Sequence, residues 1–242
     1  MELSPNSSCS ENTPLFIGFT RNWRLLQQAV VSYITAGWPP EDIYIVENTG
    51  VMKSNANGQL SLQNPFFLKH TRLDMLGVNV LITPTLITFA QLQNYYIWYA
   101  ENNSWDYYWW SHMDVAALSS EDKCALESRN QTIFLLEDRK PEYSVFSSLH
   151  QNCVAVRRKL TALDPEIEKV NRWAQQFHSY NRLALVNTKA YIEEGGIPRS
   201  IFTWLTDRDL HARIEMAGFE IGETVPGMIF DMGSSLDDLS AI

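Results

Sequence analysis

Three short stretches of the chain hold acidic and imidazole side chains at spacings that suit chemistry. Trp110, His112 and Asp114 stand two residues apart, so on a strand they would share one face. Asp114 is a hard oxygen donor suited to Mg²⁺ or Mn²⁺ carrying a diphosphate, and His112 is a softer companion. The same spacing also suits an aspartate capping a turn beside an interior histidine. The second stretch is Thr206-Asp207-Arg208-Asp209-Leu210-His211. Thr206 and Asp209 have capping-box spacing, while Asp207 and His211, four apart, are neighbours on a helix surface. A carboxylate oriented by such a neighbour can serve as a general base. The third point is Asp231, after Met228-Ile229-Phe230 and before Gly233-Ser234-Ser235, which alone reads as a turn aspartate.

An aromatic cluster, Tyr95, Tyr96, Trp98, Tyr99, Trp105, Tyr107, Tyr108, Trp109 and Trp110, offers faces suited to a sugar or a flat apolar acceptor, although most of it reads as core. His150-x-x-Cys153 is a single pair without a matching second pair and reads as structural.

Other chemistries are excluded by what is missing. Only Gly18 precedes the first helix, and there is no G-x-G-x-x-G, no G-x-x-x-x-G-K-[ST], no H-E-x-x-H and no G-x-S-x-G. Dehydrogenase, P-loop enzyme and serine hydrolase all fall in rank. Nineteen Lys and Arg against 28 Asp and Glu give a net charge of -9, which disfavours a broad grip on nucleic acid or on an anionic membrane. Three widely spaced cysteines support neither a disulfide framework nor a four-thiolate zinc site. With no leader-like start and no apolar run long enough to span a bilayer, the expectation is a soluble cytoplasmic protein.

These residues need elements to position them. Leu15 to Phe19 reads as a strand, and apolar residues from Leu25 to Ile34 mark an amphipathic helix stopped by Gly37 and Pro39-Pro40. Ile43 to Val46 is the next strand, ending at Glu47-Asn48-Thr49-Gly50. Lys53 to Gln63 reads as a loop, Phe66 to Leu76 as a helix closed by Gly77, and Val78 to Ile82 as a third strand. A helical pattern over Pro84 to Asn102 then leads to a fourth strand, Tyr107 to Val115. Strands alternating with helices predict an α/β fold with a mostly parallel central sheet covered on both faces. Ser119 to Asn130 and Pro141 to Leu163 look helical, with Gln131 to Arg139 open in type. Leu183 to Asn187 reads as a strand and Thr188 to Glu194 as a short helix. Asp207 to Ala217 reads as a helix ended by Gly218, with a last strand around Phe219 to Ile221. Lacking a repeat or linker, the chain reads as one domain over 14–242 behind a tail over 1–13.

Placed in order, these pieces resemble the GT-A fold of nucleotide-sugar glycosyltransferases, especially the family 2 type. Phe16-Ile17-Gly18-Phe19-Thr20-Arg21-Asn22 looks like that family's first donor-binding segment. Ile43 to Gly50 looks like its second strand, with Glu47 at the acidic position that holds the nucleoside. Phe89-Ala90-Gln91-Leu92-Gln93-Asn94 is similar to the helix carrying an asparagine behind the donor. Ser111-His112-Met113-Asp114-Val115 occupies the place of the D-x-D metal motif, with His112 at its first aspartate and Asp114 at its last. Ala190 to Gly196 resembles the acceptor-side segment. Trp204 to Phe219 resembles the E-D-x-D-L helix ending in A-G-[FY], which puts Asp207 at the catalytic base. Asp231 stands where many relatives place a metal-binding histidine. The Thr-Asp-Arg-Asp-Leu-His combination looks closer to small fungal relatives than to the large polysaccharide synthases.

The resemblance implies a transferase moving a sugar from a UDP-sugar or GDP-mannose to a small, lipophilic acceptor, inverting and assisted by Mn²⁺ or Mg²⁺. It implies catalytic roles for Asp207 and His211, and donor contacts from Thr20, Arg21, Asn22, Glu47, Asn48, Asn94 and Met113. The metal would sit on Asp114, His112 and Asp231, and the acceptor on Trp110, Gly195, Gly196 and Trp204. His112, Thr206 and the missing glycines also fit a GT-A binding protein without catalysis. A sugar-nucleotide nucleotidyltransferase ranks lower, because the loop after strand one holds only Arg21 and Arg24 as basic residues.

Overall fold

Leu15, Ile17 and Phe19 alternate with Phe16 along the first strand, so both of its faces are apolar and both must be covered. In the computed structural model this strand lies near the middle of a seven-stranded sheet. The structure describes residues 12–119, 148–161, 173–178, 182–193, 211–224 and 226–233.

The strands are β1 (Leu15–Phe19), β2 (Ile43–Glu47), β3 (Asn79–Ile82), β4 (Tyr107–Ser111), β5 (Val115–Leu118), β6 (Trp173–His178), β7 (Leu183–Asn187), β8 (Glu220–Thr224) and β9 (Met228–Asp231). The main sheet runs β3-β2-β1-β4-β7-β6-β8, and β5 pairs with β9 in a separate ribbon. The β1–β2, β2–β3, β1–β4 and β6–β8 pairs are parallel, whereas β7 runs antiparallel to β4 and β6. The expected α/β class with a mostly parallel sheet is therefore present.

Helices cover both faces. Helix α1 (Trp23–Thr35) buries Trp23, Leu26, Val30 and Tyr33 in the cluster that holds Leu15, Ile17, Ile43 and Trp109. Helix α4 (Leu149–Thr161) joins it through Leu149 and Cys153. On the other face, α3 (Phe89–Asn102) buries Ala90, Leu92, Tyr96 and Ala100 against Phe16, Tyr108 and Trp110, with Ala190 and Tyr191 of α5 (Thr188–Glu193). The short α2 (His70–Leu76) ends at Gly77, whose φ of 77° suits a glycine C-cap. Gly18 has a packing role, because a Cβ there would lie 2.7 Å from Leu92 Cδ2 and 2.7 Å from the Tyr96 hydroxyl. Its missing side chain lets α3 approach the sheet.

Several expected boundaries move. The strand expected over Tyr107 to Val115 divides: β4 stops at Ser111, a turn carries His112, Met113 and Asp114, and β5 begins at Val115 in the other sheet. Trp110, His112 and Asp114 therefore do not share one strand face. The helix expected from Phe66 begins at His70, and the one expected from Pro84 begins after Thr88, whose side chain and that of Gln91 form a capping box. Strands β6 and β9 were not anticipated. Thr13, expected in the tail, is 1% exposed, and its N–H and hydroxyl donate to Asp42 at 2.7 and 2.8 Å. The segments expected to be helical over 119–130 and of open type over 131–139 lie outside the described residues, Ser119 excepted.

Candidate functional site

Because β1, β2, β3 and β4 are parallel, their carboxyl ends open onto one edge of the sheet, the place where open α/β sheets bind ligands. That edge holds Thr20-Arg21-Asn22 after β1, Glu47-Asn48 at the end of β2, Thr83 after β3 and His112-Met113-Asp114 after β4. Antiparallel β7 begins there, so Arg182 joins the same edge, as does His178 at the end of β6.

Asp114 and Asp231 are brought together by the β5–β9 ribbon. Val115 pairs with Asp231, and the Met232 N–H donates to the Asp114 carbonyl at 2.7 Å. Their carboxylates converge beside Gly233. A Cβ placed there would lie 2.6 Å from Asp114 Oδ2 and 3.4 Å from Asp231 Oδ1. Arg182 completes the group, with Nη2 donating to Asp231 Oδ2 at 3.2 Å. Both side chains of that pair are about one-third exposed, at 32% and 29%, so they remain in reach of a solute. Among the described residues no three His, Cys, Asp or Glu side chains converge on one point. Two carboxylates with a side-chain-free residue between them still fit Mg²⁺ or Mn²⁺, which often take one or two carboxylates and complete their shell with phosphate oxygens and water.

His112 is directed elsewhere. Its ring stacks on Phe89 at 6.4 Å and meets Trp110 at 5.5 Å, while its backbone N–H donates to the Arg182 carbonyl at 3.1 Å. Trp110 is itself buried, 5.9 Å from the Phe89 ring, and Met113 packs against the cluster under α1. His211 packs edge-on against Phe177 at 5.7 Å.

On the donor side, Asn22 takes a left-handed conformation with φ 69° and caps α1, its Oδ1 accepting from the Leu25 N–H at 3.3 Å. Thr20 is half-buried and Arg21 exposed. The Glu47 carboxylate is buried and internally engaged. It accepts from Asn55 Nδ2 at 2.6 Å and from the Thr49 hydroxyl at 3.2 Å, and it pairs with His70 Nε2 at 2.8 Å. Asn55 also donates to the Phe66 carbonyl and accepts from the Leu68 N–H, so Glu47 anchors the long loop between β2 and α2. Asn48 likewise grips the loop before α3, donating to the Ile87 carbonyl and accepting from its N–H, both at 2.8 Å. Asn94 faces a cleft of about 320 Å³ beside Tyr95 and Trp98.

His178 was not singled out in the sequence. It is fully buried and lies 5.3 Å from the Trp109 ring in a stacked arrangement, with Nδ1 donating to the Thr224 carbonyl at 2.9 Å. Burial pushes its pKa down to about 4, opposed by that carbonyl. Arg182 was also missed, since a lone arginine before a strand carries no motif. Asp207, Gly195, Gly196 and Trp204 lie outside the described residues.

No protein-family model matches the sequence, nor does any curated protein. Among solved structures, the chain is similar to the catalytic domain of Drosophila beta1,4galactosyltransferase 7 in complex with xylobiose. That match is at 15% identity and TM-score 0.43, over 87% of this chain and 63% of that one. It is similar to a mannosyltransferase from Pyrobaculum calidifontis in complex with GDP-Man and Mn²⁺, at 11% identity and TM-score 0.49, over 93% of this chain and 57% of that one. A cytidylyltransferase from Leptospira borgpetersenii matches at 10% identity and TM-score 0.44, over 88% of this chain and 76% of that one. These are likenesses in the course of the chain alone. The chain spans about three fifths of the length of each of the two glycosyltransferases. No helix among the described residues is long and apolar enough to cross a membrane.

Proposed function

We propose that the chain is a nucleotide-sugar glycosyltransferase of the GT-A type, moving a sugar from a nucleoside-diphosphate donor to a hydroxyl of a small, lipophilic acceptor. The observation that carries this reading is the convergence of Asp114 and Asp231 beside Gly233, with Arg182 alongside, at the carboxyl edge of the parallel strands. Two carboxylates and a guanidinium suit a diphosphate and its cation, and the order of motifs along the sequence agrees.

In this reading Asp114 and Asp231 would hold Mn²⁺ or Mg²⁺, which would supply positive charge to stabilise a leaving diphosphate. Arg182 and Arg21 face the phosphates, with Thr20, Asn22 and the Met113 backbone lining the donor. Glu47 and Asn48 shape the nucleoside wall through the loops they tie, and Asn94 borders it from α3. Asp207, oriented by His211, takes the proton of the acceptor hydroxyl as its oxygen attacks the anomeric carbon. The new glycosidic bond forms as the bond to the diphosphate oxygen breaks, so a single displacement inverts the configuration. In this reading Gly195, Gly196 and Trp204 would contact the acceptor, and the buried Trp110 would support that side from the core.

Nucleotide release from a panel of UDP-sugars and GDP-mannose, with Mn²⁺ and a set of lipophilic alcohols, tests this reading. Asp207→Asn is expected to keep donor binding and lose about 10²–10⁴-fold in turnover. Near-normal turnover in that variant removes Asp207 as the base, and absence of transfer from every donor removes the reading.

A further inference from the structure

Most of the aromatic cluster in the sequence is accounted for by packing: Tyr96, Tyr108, Trp109 and Trp110 are buried in the two cores, and Tyr95, Tyr99, Trp105 and Tyr107 pack partly buried against them. Trp98 is the exception, with 55% of its surface exposed. It stands on the outward side of α3, with the Tyr95 ring 5.6 Å away, and lines the cleft of about 320 Å³ together with Pro84, Ile87, Gln91 and Asn94.

We infer that this cleft binds a neutral saccharide, with the Trp98 indole as the platform for a sugar ring. Three features point to that chemistry. Among the described residues no charged side chain lines the cleft, in a chain of net charge -9, so neither a phosphate nor a cation finds a partner among them. The carboxamide of Gln91 stands on the same wall as the two rings, and with its Oε1 accepting from Thr88 it brings two N–H donors of the kind that sugar hydroxyls pair with. An aromatic face beside hydrogen-bonding groups matches a pyranose, which presents C–H bonds on its faces and hydroxyls at its rim. The volume lies at the small end of ligand pockets, enough for one or two sugar units.

The cleft is also held in shape without a ligand. Ile87 is pinned by the paired hydrogen bonds of Asn48, and Gln91 by the Thr88 capping box, its Oε1 accepting the Thr88 N–H at 2.9 Å. A rigid wall lowers the ordering cost of binding. The site shares Asn94 with the donor wall of the proposed function but uses neither Asp114 nor Asp231, so the Asp114 variant separates the two.

Saturation-transfer NMR on the whole chain with cellobiose and methyl mannoside as probes tests the inference. Transfer to the ring C–H protons of at least one probe is expected. It should fall at least fivefold in Trp98→Ala and be retained in Trp98→Tyr and in Asp114→Asn, with the unfolding midpoint of Trp98→Ala unchanged because the indole is largely exposed. Equal transfer in Trp98→Ala, or no transfer to either sugar, overturns the inference. So does loss of the signal in Asp114→Asn, which would place the sugar at the carboxylate pair. Binding of an apolar dye that Trp98→Ala abolishes, with no sugar bound, assigns the cleft to an apolar partner instead.

Discussion

The carboxylates of Asp114 and Asp231 both reach Gly233, into the space that a side chain there would fill. Gly233→Ala would put a methyl group 2.6 Å from Asp114 Oδ2. The obstructed atom is the free end of a carboxylate, so the fold should tolerate the change while the carboxylates splay. Titration calorimetry is expected to show Mn²⁺-dependent binding of UDP or GDP weakened at least tenfold, with the unfolding midpoint within a few degrees of wild type.

Arg182 and Asp231 offer a way to separate charge from shape. Their ion pair is partly exposed, so Arg182→Met should cost no more than about 1 kcal/mol of stability in chemical denaturation. Nucleotide affinity should drop, because a cation facing the phosphates is lost, while Mn²⁺ alone should bind as well as before or better, since Asp231 no longer shares its charge. Parallel losses for nucleotide and metal would argue that Arg182 acts only by holding Asp231.

Gly18→Ala should destabilise without touching the carboxylates. The added Cβ meets Leu92 and the Tyr96 hydroxyl at 2.7 Å each, both on the packed face of α3. Overpacking of this kind costs about 1–3 kcal/mol, which in a chain of this size lowers Tm by roughly 2–10 °C. Adding Leu92→Ala is expected to recover part of the loss in the same thermal scan, because it vacates one of the two clashing positions.

Burial of His178 makes a pH prediction. The unfolded chain protonates this imidazole near its ordinary value of 6.5, the folded chain only near 4. Between those values the unfolded state binds more protons, so stability is full above pH 6.5 and falls as the pH drops toward 4, by on the order of 3 kcal/mol. His178→Asn keeps a donor for the Thr224 carbonyl and removes the titration. Unfolding curves across this range should therefore be flatter for the variant, and an unchanged slope would assign the acid sensitivity to other groups.

Much of the sheet was legible in the sequence because β1, β2, β3 and β7 are short apolar runs bounded by clear stop signals such as Gly37 and Gly77. The boundary after β4 was not. Trp110, Ser111, His112 and Met113 continue a pattern that a strand would accept, and the break appears only because β5 leaves the main sheet to pair with β9. The same tertiary pairing unites Asp114 with Asp231, which local spacing could not show. The position of His112 beside Asp114 suggested a shared site, yet its ring is drawn to Phe89 and Trp110 by packing. Glu47 was expected at the nucleoside from its place at the end of the second strand, whereas its bonds to Asn55, Thr49 and His70 depend on a loop of irregular course that no periodicity encodes.

The claim that the carboxylate pair is a cation-dependent diphosphate site is tested most directly by titrating UDP and GDP into the protein with and without Mn²⁺, and into Asp114→Asn. The account predicts that one nucleotide binds with Mn²⁺, at least tenfold more weakly without it, and at least tenfold more weakly to Asp114→Asn in its presence. Binding that ignores both the metal and the substitution, or no binding of either nucleotide, would contradict it.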